Sequence, residues 1–284
     1  GAVGAHLWPS AQLSAAYLRR RYAFDGFNTI RALELGSGCG VVGLVAAAHG
    51  AEVILSDGDA RVLPLLRSNC YDFSRWSGKI RSLEVIKLDF ASEQDCKDFA
   101  EKYGAVDLLL ASDVLYEHQL VAKFLRSAAV LTCDELILAV ELRPCGVDLK
   151  DAILSDAPRY GFAATDVTDK VKMWVTPWSR ASTSESSESS LKIPPLEERH
   201  RLFLLKRALK GTKSPGKMEA EQMSKVKSHQ PWKEVGEKEW YQRSLHFWLK
   251  QDATDAGVLD GHVDTSPLDL KESADFLDAL RCQR

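Results

Sequence analysis

Ala32-Leu-Glu-Leu-Gly36-Ser-Gly-Cys-Gly40 is a short apolar run that breaks into three alternate glycines. Residues 32–35 suit a buried parallel strand, whose side chains are covered on both faces. Residues 41–49 are small and apolar and predict a helix packed on the sheet, with Gly50 after it as a C-cap. Glycines are needed between strand and helix because the backbone must turn sharply and let a ligand approach closely. Outward from this unit the alternation repeats. Strands are expected at 52–56, 83–88, 106–111, 135–141, 162–167 and 201–207. Helices are expected at 12–22, 60–70, 120–131 and 148–160, the last closed by Gly161. Leu13, Ala16, Tyr17 and Arg20 share one face of the first helix, and Val62, Leu65, Leu66 and Asn69 one face of another. Strands alternating with helices indicate an α/β fold with a parallel sheet. The last two strands follow each other without a clear helix, which predicts an antiparallel hairpin at the sheet edge.

The loop alone does not name its ligand. Gly38-x-Gly40-x-x-Gly43 satisfies a dinucleotide fingerprint, but that pattern is weak by itself. The residue at the strand end is Gly36, so the register reads G-x-G-x-G preceded by Glu34. A pyrophosphate needs a free helix N-terminus. An acid just before the loop instead suits a ligand carrying an ammonium and a sulfonium, which favours S-adenosylmethionine. The next strand ends at Asp57, 21 residues beyond Gly36. A carboxylate there can accept from both ribose hydroxyls.

Bulk properties narrow the class. The 284 residues are 45% hydrophobic and 27% charged, with a net charge of -3, as in ordinary globular chains rather than polyanion binders. No basic excess calls for nucleic acid, no apolar run reaches a membrane span, and no signal peptide is visible. The six cysteines include no C-x-x-C pair, so no metal site is expected and a reducing compartment is the simpler reading. Cys39 and Cys133 read as small buried residues. Residues 1–210 are expected to form the main domain. Within it 179–198, starting Ser179-Arg-Ala-Ser-Thr-Ser-Glu, is expected to be a mobile Ser-rich insertion. Residues 211–284, with Trp232, Trp240, Phe247 and Trp248, are expected to be a loosely docked or partly disordered extension.

Two further stretches bear on chemistry. Leu7-Trp8-Pro9-Ser10-Ala11 precedes a helix, with Ser10 as its expected N-cap and Trp8 a core aromatic or a ligand contact. Asp113-Val-Leu-Tyr116 closes the fourth strand, on the edge where parallel sheets hold their ligands. Asp113 could face a substrate or merely cap the next helix. Glu141-Leu-Arg143 ends the fifth strand on the same edge, as part of an acceptor channel or as a surface ion pair.

Together, Leu-Trp-Pro-Ser-Ala, Leu-Glu-Leu-Gly-Ser-Gly-Cys-Gly, Ser56-Asp57-Gly58-Asp59 and Ser112-Asp113-Val114-Leu115-Tyr116 resemble the family 16 protein-lysine methyltransferases over about residues 4–207. That group includes enzymes acting on calmodulin, elongation factor 2 and chaperones. The calmodulin and elongation-factor branches are the most similar. The resemblance implies a seven-strand class I methyltransferase sheet, Rossmann-like, with S-adenosyl-L-methionine as cofactor. It implies transfer to a lysine of a protein substrate by a monomer in the cytoplasm, with the nucleus as a second location. Trp8 would pack on the cofactor. Gly36, Ser37 and Gly38 would contact its methionine part, with Glu34 and Gly40 framing the loop. Asp57 would hold the ribose and Gly58 lie near the adenine. Phe90 stands where relatives carry Trp, and Ser112 where Ala is frequent. Asp113 and Tyr116 match the D-x-x-Y motif that faces the acceptor.

Three rivals stay open at this point. Arginine or histidine methylation uses the same scaffold. A base-modifying enzyme would show a proline-rich turn where this chain has D-V-L-Y. A silent cofactor-binding scaffold would use the Ser-rich stretch and the tail for partners.

Overall fold

The computed structural model describes residues 7–22, 29–77, 80–143, 149–175 and 196–208. The remainder of the Ser-rich stretch and the tail expected beyond 210 lie outside the described residues. The elements run α1 (Ser10–Arg21), β1 (Arg31–Leu35), α2 (Val41–Ala48), β2 (Glu52–Asp57), α3 (Leu63–Ser77), β3 (Ser82–Lys87), α4 (Glu93–Tyr103) and β4 (Val106–Ser112). They continue with α5 (Gln119–Leu131), β5 (Thr132–Glu141), α6 (Leu149–Asp156), a 3-10 turn (Ala157–Tyr160), β6 (Phe162–Asp166), α7 (Thr168–Lys172) and β7 (His200–Arg207).

The strands form one seven-stranded sheet in the order β3-β2-β1-β4-β5-β7-β6. β1 pairs in parallel with β2 and β4, and β4 with β5. β7 pairs antiparallel with both β5 and β6, which makes the expected edge hairpin. This is the α/β sheet expected from the alternation, with the seven-strand, Rossmann-like order that the resemblance implies.

The core follows from strand periodicity. Ala32, Leu108, Leu110, Ile137, Ala139 and Leu202 bury on one face, beneath α1, α2 and α3. Their chain neighbours Leu33, Leu109, Ala111, Leu136, Leu138 and Phe203 bury on the other, beneath α5 and α6. A strand apolar at both odd and even positions must be covered twice, so helices are needed on both sides.

The chain reverses its winding between β1 and β4, adjacent strands from opposite halves of the sheet. In such sheets the crevice outside the carboxyl ends of those two strands is where ligands bind. The glycine loop after β1 and the D-V-L-Y turn after β4 open there.

Four details differ from the sequence reading. α4 was missed: it buries only Cys96 and Phe99, too few for a periodic signal. Its true marker is the cap, since Ser92 Oγ accepts the Asp95 N–H at 3.2 Å. α7 lies between β6 and β7, and five residues are too short for periodicity to register. Cys133 is exposed, not buried: β5 begins at Thr132, three residues before the expected start, and Cys133 lies at its outer end. Ser10 is the first helical residue rather than the cap, and its hydroxyl makes no cap bond. No helix among the described residues is long and apolar enough to cross a membrane.

Candidate active site

The glycine loop is the floor of the crevice. Gly36, Gly38 and Gly40 have φ of 61°, 54° and 88°, the left-handed region that side chains avoid. A Cβ on Gly36 would sit 2.6 Å from Val114 Cγ1, so the loop and the D-V-L-Y turn are in direct apposition. Ser37 ties the loop to β2: its N–H donates to Ser56 O at 2.8 Å, and its Oγ accepts the Ser56 N–H at 3.0 Å. The Gly38 N–H donates to Asp57 Oδ2 at 3.1 Å, and the Gly40 N–H to Ser37 O at 2.7 Å. Asn69 of α3 braces the turn from outside by donating to Cys39 O at 2.7 Å.

Glu34 sits beneath this loop, 3% exposed. Its Oε2 accepts the Gly43 N–H at 3.0 Å, inside the first turn of α2. Burial pushes its carboxyl up to about 8, against the opposing pull of the Gly43 N–H and the Ser37 hydroxyl. This arrangement bears on the ligand. A pyrophosphate docks on free N–H groups at a helix N-terminus. Here the N–H groups of Ser37, Gly38, Gly40 and Gly43 are all taken by the protein, the last by the Glu34 carboxyl. The dinucleotide reading does not fit.

Asp57 closes β2 and is nearly buried. Its Oδ2 accepts from Gly38 and its Oδ1 from the Asp59 N–H at 2.9 Å. A carboxylate offers about four acceptor positions, so half remain for ribose hydroxyls. Gly58 is exposed beside Asp89: a Cβ on it would lie 3.3 Å from Asp89 Cβ. The loop after β3 thus borders Gly58, and it brings Phe90, half-buried edge-on against Phe124 at 5.5 Å between ring centroids. The Ser127 hydroxyl holds Phe90 O at 2.6 Å.

The end of β4 forms the opposite wall. Asp113 has φ 57°, the only described non-glycine residue in the left-handed region. Its N–H donates to Ala139 O at 2.9 Å, and its Oδ1 accepts the Ser10 hydroxyl at 2.8 Å. Oδ2 is buried with no hydrogen-bond partner among the described residues. Burial pushes the carboxyl up to about 6, opposed by the Ser10 hydroxyl. The capping alternative fails, since α5 starts at Gln119 and its cap position is His118. Ser112 shares a hydrogen bond with Ser14 at 3.1 Å between hydroxyl oxygens. Tyr116 is 57% exposed, at the mouth rather than the floor.

Trp8 is half-buried, with the Arg143 guanidinium 5.5 Å from its ring centre. Arg143 also pairs with Glu141 at 3.3 Å, and Arg199 pairs with the same carboxylate at 3.0 Å. The Glu141–Arg143 stretch is therefore an ion pair, placed at the end of β5 beside Trp8. Ser10 and Ser14 were not read as site residues. Their signal was two polar residues one turn apart in a helix buried nearly all round.

The residues fit S-adenosylmethionine. The positive-φ glycines leave the loop face without side chains. The carboxylates suit a cationic ligand with ribose hydroxyls. Asp113 Oδ2 keeps acceptor capacity with no hydrogen-bond partner among the described residues.

The family model for lysine methyltransferases matches residues 1–144, just over half the chain. The protein-lysine methyltransferase METTL21E of Mus musculus is 30% identical over 143 residues, 49% of this chain and 56% of that protein. The calmodulin-lysine N-methyltransferase of Arabidopsis thaliana is 31% identical over 111 residues, 38% of this chain and 34% of that one. The histone-arginine methyltransferase METTL23 of Xenopus laevis is 34% identical over 115 residues, 40% of this chain and 45% of its own. The chain spans about half the length of the curated relatives it matches. The matched residues carry the glycine loop, Asp57 and the Asp113–Tyr116 turn, and with them the chain belongs to the lysine methyltransferase family.

Proposed function

We propose that this chain is an S-adenosylmethionine-dependent methyltransferase that N-methylates a lysine side chain of a protein. One observation carries the reading. At the switch point of the sheet, a buried carboxylate with one oxygen lacking a hydrogen-bond partner among the described residues, Asp113, adjoins a glycine loop whose Ser37, Gly38 and Gly40 N–H groups are spent on the protein. That combination suits a cationic cofactor and a cationic acceptor.

Glu34 and the internal bonds of Ser37 and Gly38 hold the loop rigid, and Asp57 offers its remaining acceptor positions to ribose hydroxyls. Phe90 and Gly58 would border the adenine, and Trp8 would pack on the cofactor. When bound there, S-adenosylmethionine supplies a methyl group activated by its positive sulfur. Asp113 receives the acceptor ammonium and orients it, while Tyr116 lines the mouth and the proton leaves to water. The gain comes from alignment and from exclusion of bulk water, worth up to about 7–11 kcal/mol where the reacting atoms are well oriented.

The test is incubation of the protein with isotope-labelled S-adenosylmethionine and a cell extract, followed by mass spectrometry of labelled peptides. Label on lysine is expected. The arginine-methylating relative keeps arginine as the second reading, and label on arginine alone would decide for it. Absence of cofactor binding by calorimetry would refute both.

A further inference from the structure

Ser10 lies 103 residues from Asp113 in the chain, yet its hydroxyl is the hydrogen-bond donor to Oδ1, at 2.8 Å. Ser10 is fully buried as the first residue of α1. Ser14, one helical turn on, is also fully buried and bonds the Ser112 hydroxyl. Residues four apart lie on one helix face, so α1 presents two hydroxyls to the last residue of β4 and the turn after it. Neither serine caps the helix, and both burials require a partner of this kind.

Asp113 has reason to need holding. A left-handed φ of 57° is unfavourable for a residue with a Cβ and persists only where the surroundings over-determine it. The backbone bond to Ala139 O and the side-chain bond from Ser10 do so, with the Glu141 backbone N–H also acting on the carboxyl. The other charged groups facing the carboxylate are Glu141 and Arg143 from the end of β5, with opposite effects on it. Their own ion pair occupies Arg143, and Oδ2 keeps no hydrogen-bond partner among the described residues. With Oδ1 fixed by Ser10, only Oδ2 is left to meet a ligand.

We infer that Ser10 is a positioning residue: its hydroxyl locks the Asp113 carboxylate so that Oδ2 is presented to the cationic nitrogen of the acceptor. This rests on the reading of the chain as a methyltransferase with a cationic acceptor. It makes α1 part of the acceptor site and not only a cover for the sheet.

Ser10→Ala, Ser10→Thr and Ser10→Cys test it in the full chain. Three quantities are compared with the unmodified protein. These are S-adenosylmethionine affinity by calorimetry, titration of the Asp113 carboxyl by carbon-13 NMR, and the rate of label transfer into a cell extract. For Ser10→Ala we expect cofactor affinity within about twofold. We expect Asp113 to hold its proton about tenfold more tightly and transfer to fall about tenfold, the scale of one charge-assisted hydrogen bond. Ser10→Thr, which keeps the hydroxyl, should restore both. A slower Ser10→Ala with unaltered Asp113 titration would overturn the inference, leaving Ser10 a packing role; so would unaltered transfer. If Ser10→Ala does not fold, Ser10→Cys, a weaker donor of similar size, must show the same two changes in smaller measure, and their absence there overturns it. Failure of the unmodified protein to transfer label refutes the functional reading instead, and the NMR comparison then still decides whether Ser10 governs Asp113.

Discussion

Replacing Glu34 by Gln should make the protein more stable at neutral pH, and by an amount that grows with pH. Glu34 is almost fully buried, and its carboxyl is raised from 4.5 to about 8 in the fold. Between those values the unfolded chain releases this proton and the folded chain keeps it. The folded state thus binds more protons, and stability falls as pH rises through that window. At about pH 5 the penalty is under roughly 1 kcal/mol, and at about pH 7.5 it reaches roughly 4 kcal/mol, taking 1.36 kcal/mol per unit. Above about 8 both states are ionised and the loss stops growing. Gln keeps a carbonyl oxygen for the Gly43 N–H but has no proton to lose. The stability difference between variant and parent should therefore widen by about 3 kcal/mol from about pH 5 to 7.5, or at least 6 °C in melting temperature. Urea unfolding followed by circular dichroism across that range measures it. Parallel stability curves for the two proteins would refute the reasoning, because they would mean that Glu34 is ionised beneath the loop.

Three other outcomes follow from the same geometry. Gly43→Ala should destabilise by about 1–3 kcal/mol although alanine is the better helix former, because the new Cβ would lie 2.7 Å from Glu34 Oε2 and 3.0 Å from Leu55 Cδ2; urea unfolding measures it. Asp57→Ala should weaken S-adenosylmethionine binding by about 1–3 kcal/mol in calorimetry, through lost ribose contacts and release of the Gly38 N–H. Methyl transfer should fall as pH drops through about 6, where Asp113 takes up its proton, and Asp113→Asn should remove transfer at every pH while cofactor affinity changes little; a wild-type rate flat from about pH 7 to 5 would exclude Asp113 from the acceptor site.

Much of the sheet was legible because each strand is an apolar run with a turn signal at its end. The Leu33–Leu35 and Leu108–Ala111 stretches read as strands without reference to any partner. α4 and α7 were not legible, for opposite reasons. α4 buries two side chains in eleven residues and depends on its Ser92 cap, so composition conceals it. α7 is one short turn defined by Asp166 receiving the Thr168 N–H. In the site, the loop glycines and Asp57 could be read from spacing, since close backbone approach needs glycine wherever it occurs. Ser10 could not. Its partner is 103 residues away, and a serine after a proline at a helix start has a local explanation in capping that the structure does not use.

The three acids of the crevice show why fold and chemistry are one problem here. They end adjacent strands of the sheet, yet each meets a different environment. Glu34 points beneath the loop and takes a helix N–H, so burial favours its neutral form. Asp57 accepts from two backbone N–H groups and keeps acceptor capacity for hydroxyls. Asp113 takes the Ser10 hydroxyl on Oδ1 and buries Oδ2 without a hydrogen-bond partner among the described residues. A carboxyl kept neutral stabilises architecture, one surrounded by donors binds neutral hydroxyls, and one with an open oxygen seeks a cation. Exchanging their environments would abolish the division of labour even if all three residues remained. The test of that claim is Ser10, which sets the Asp113 environment without any expected contact with the acceptor.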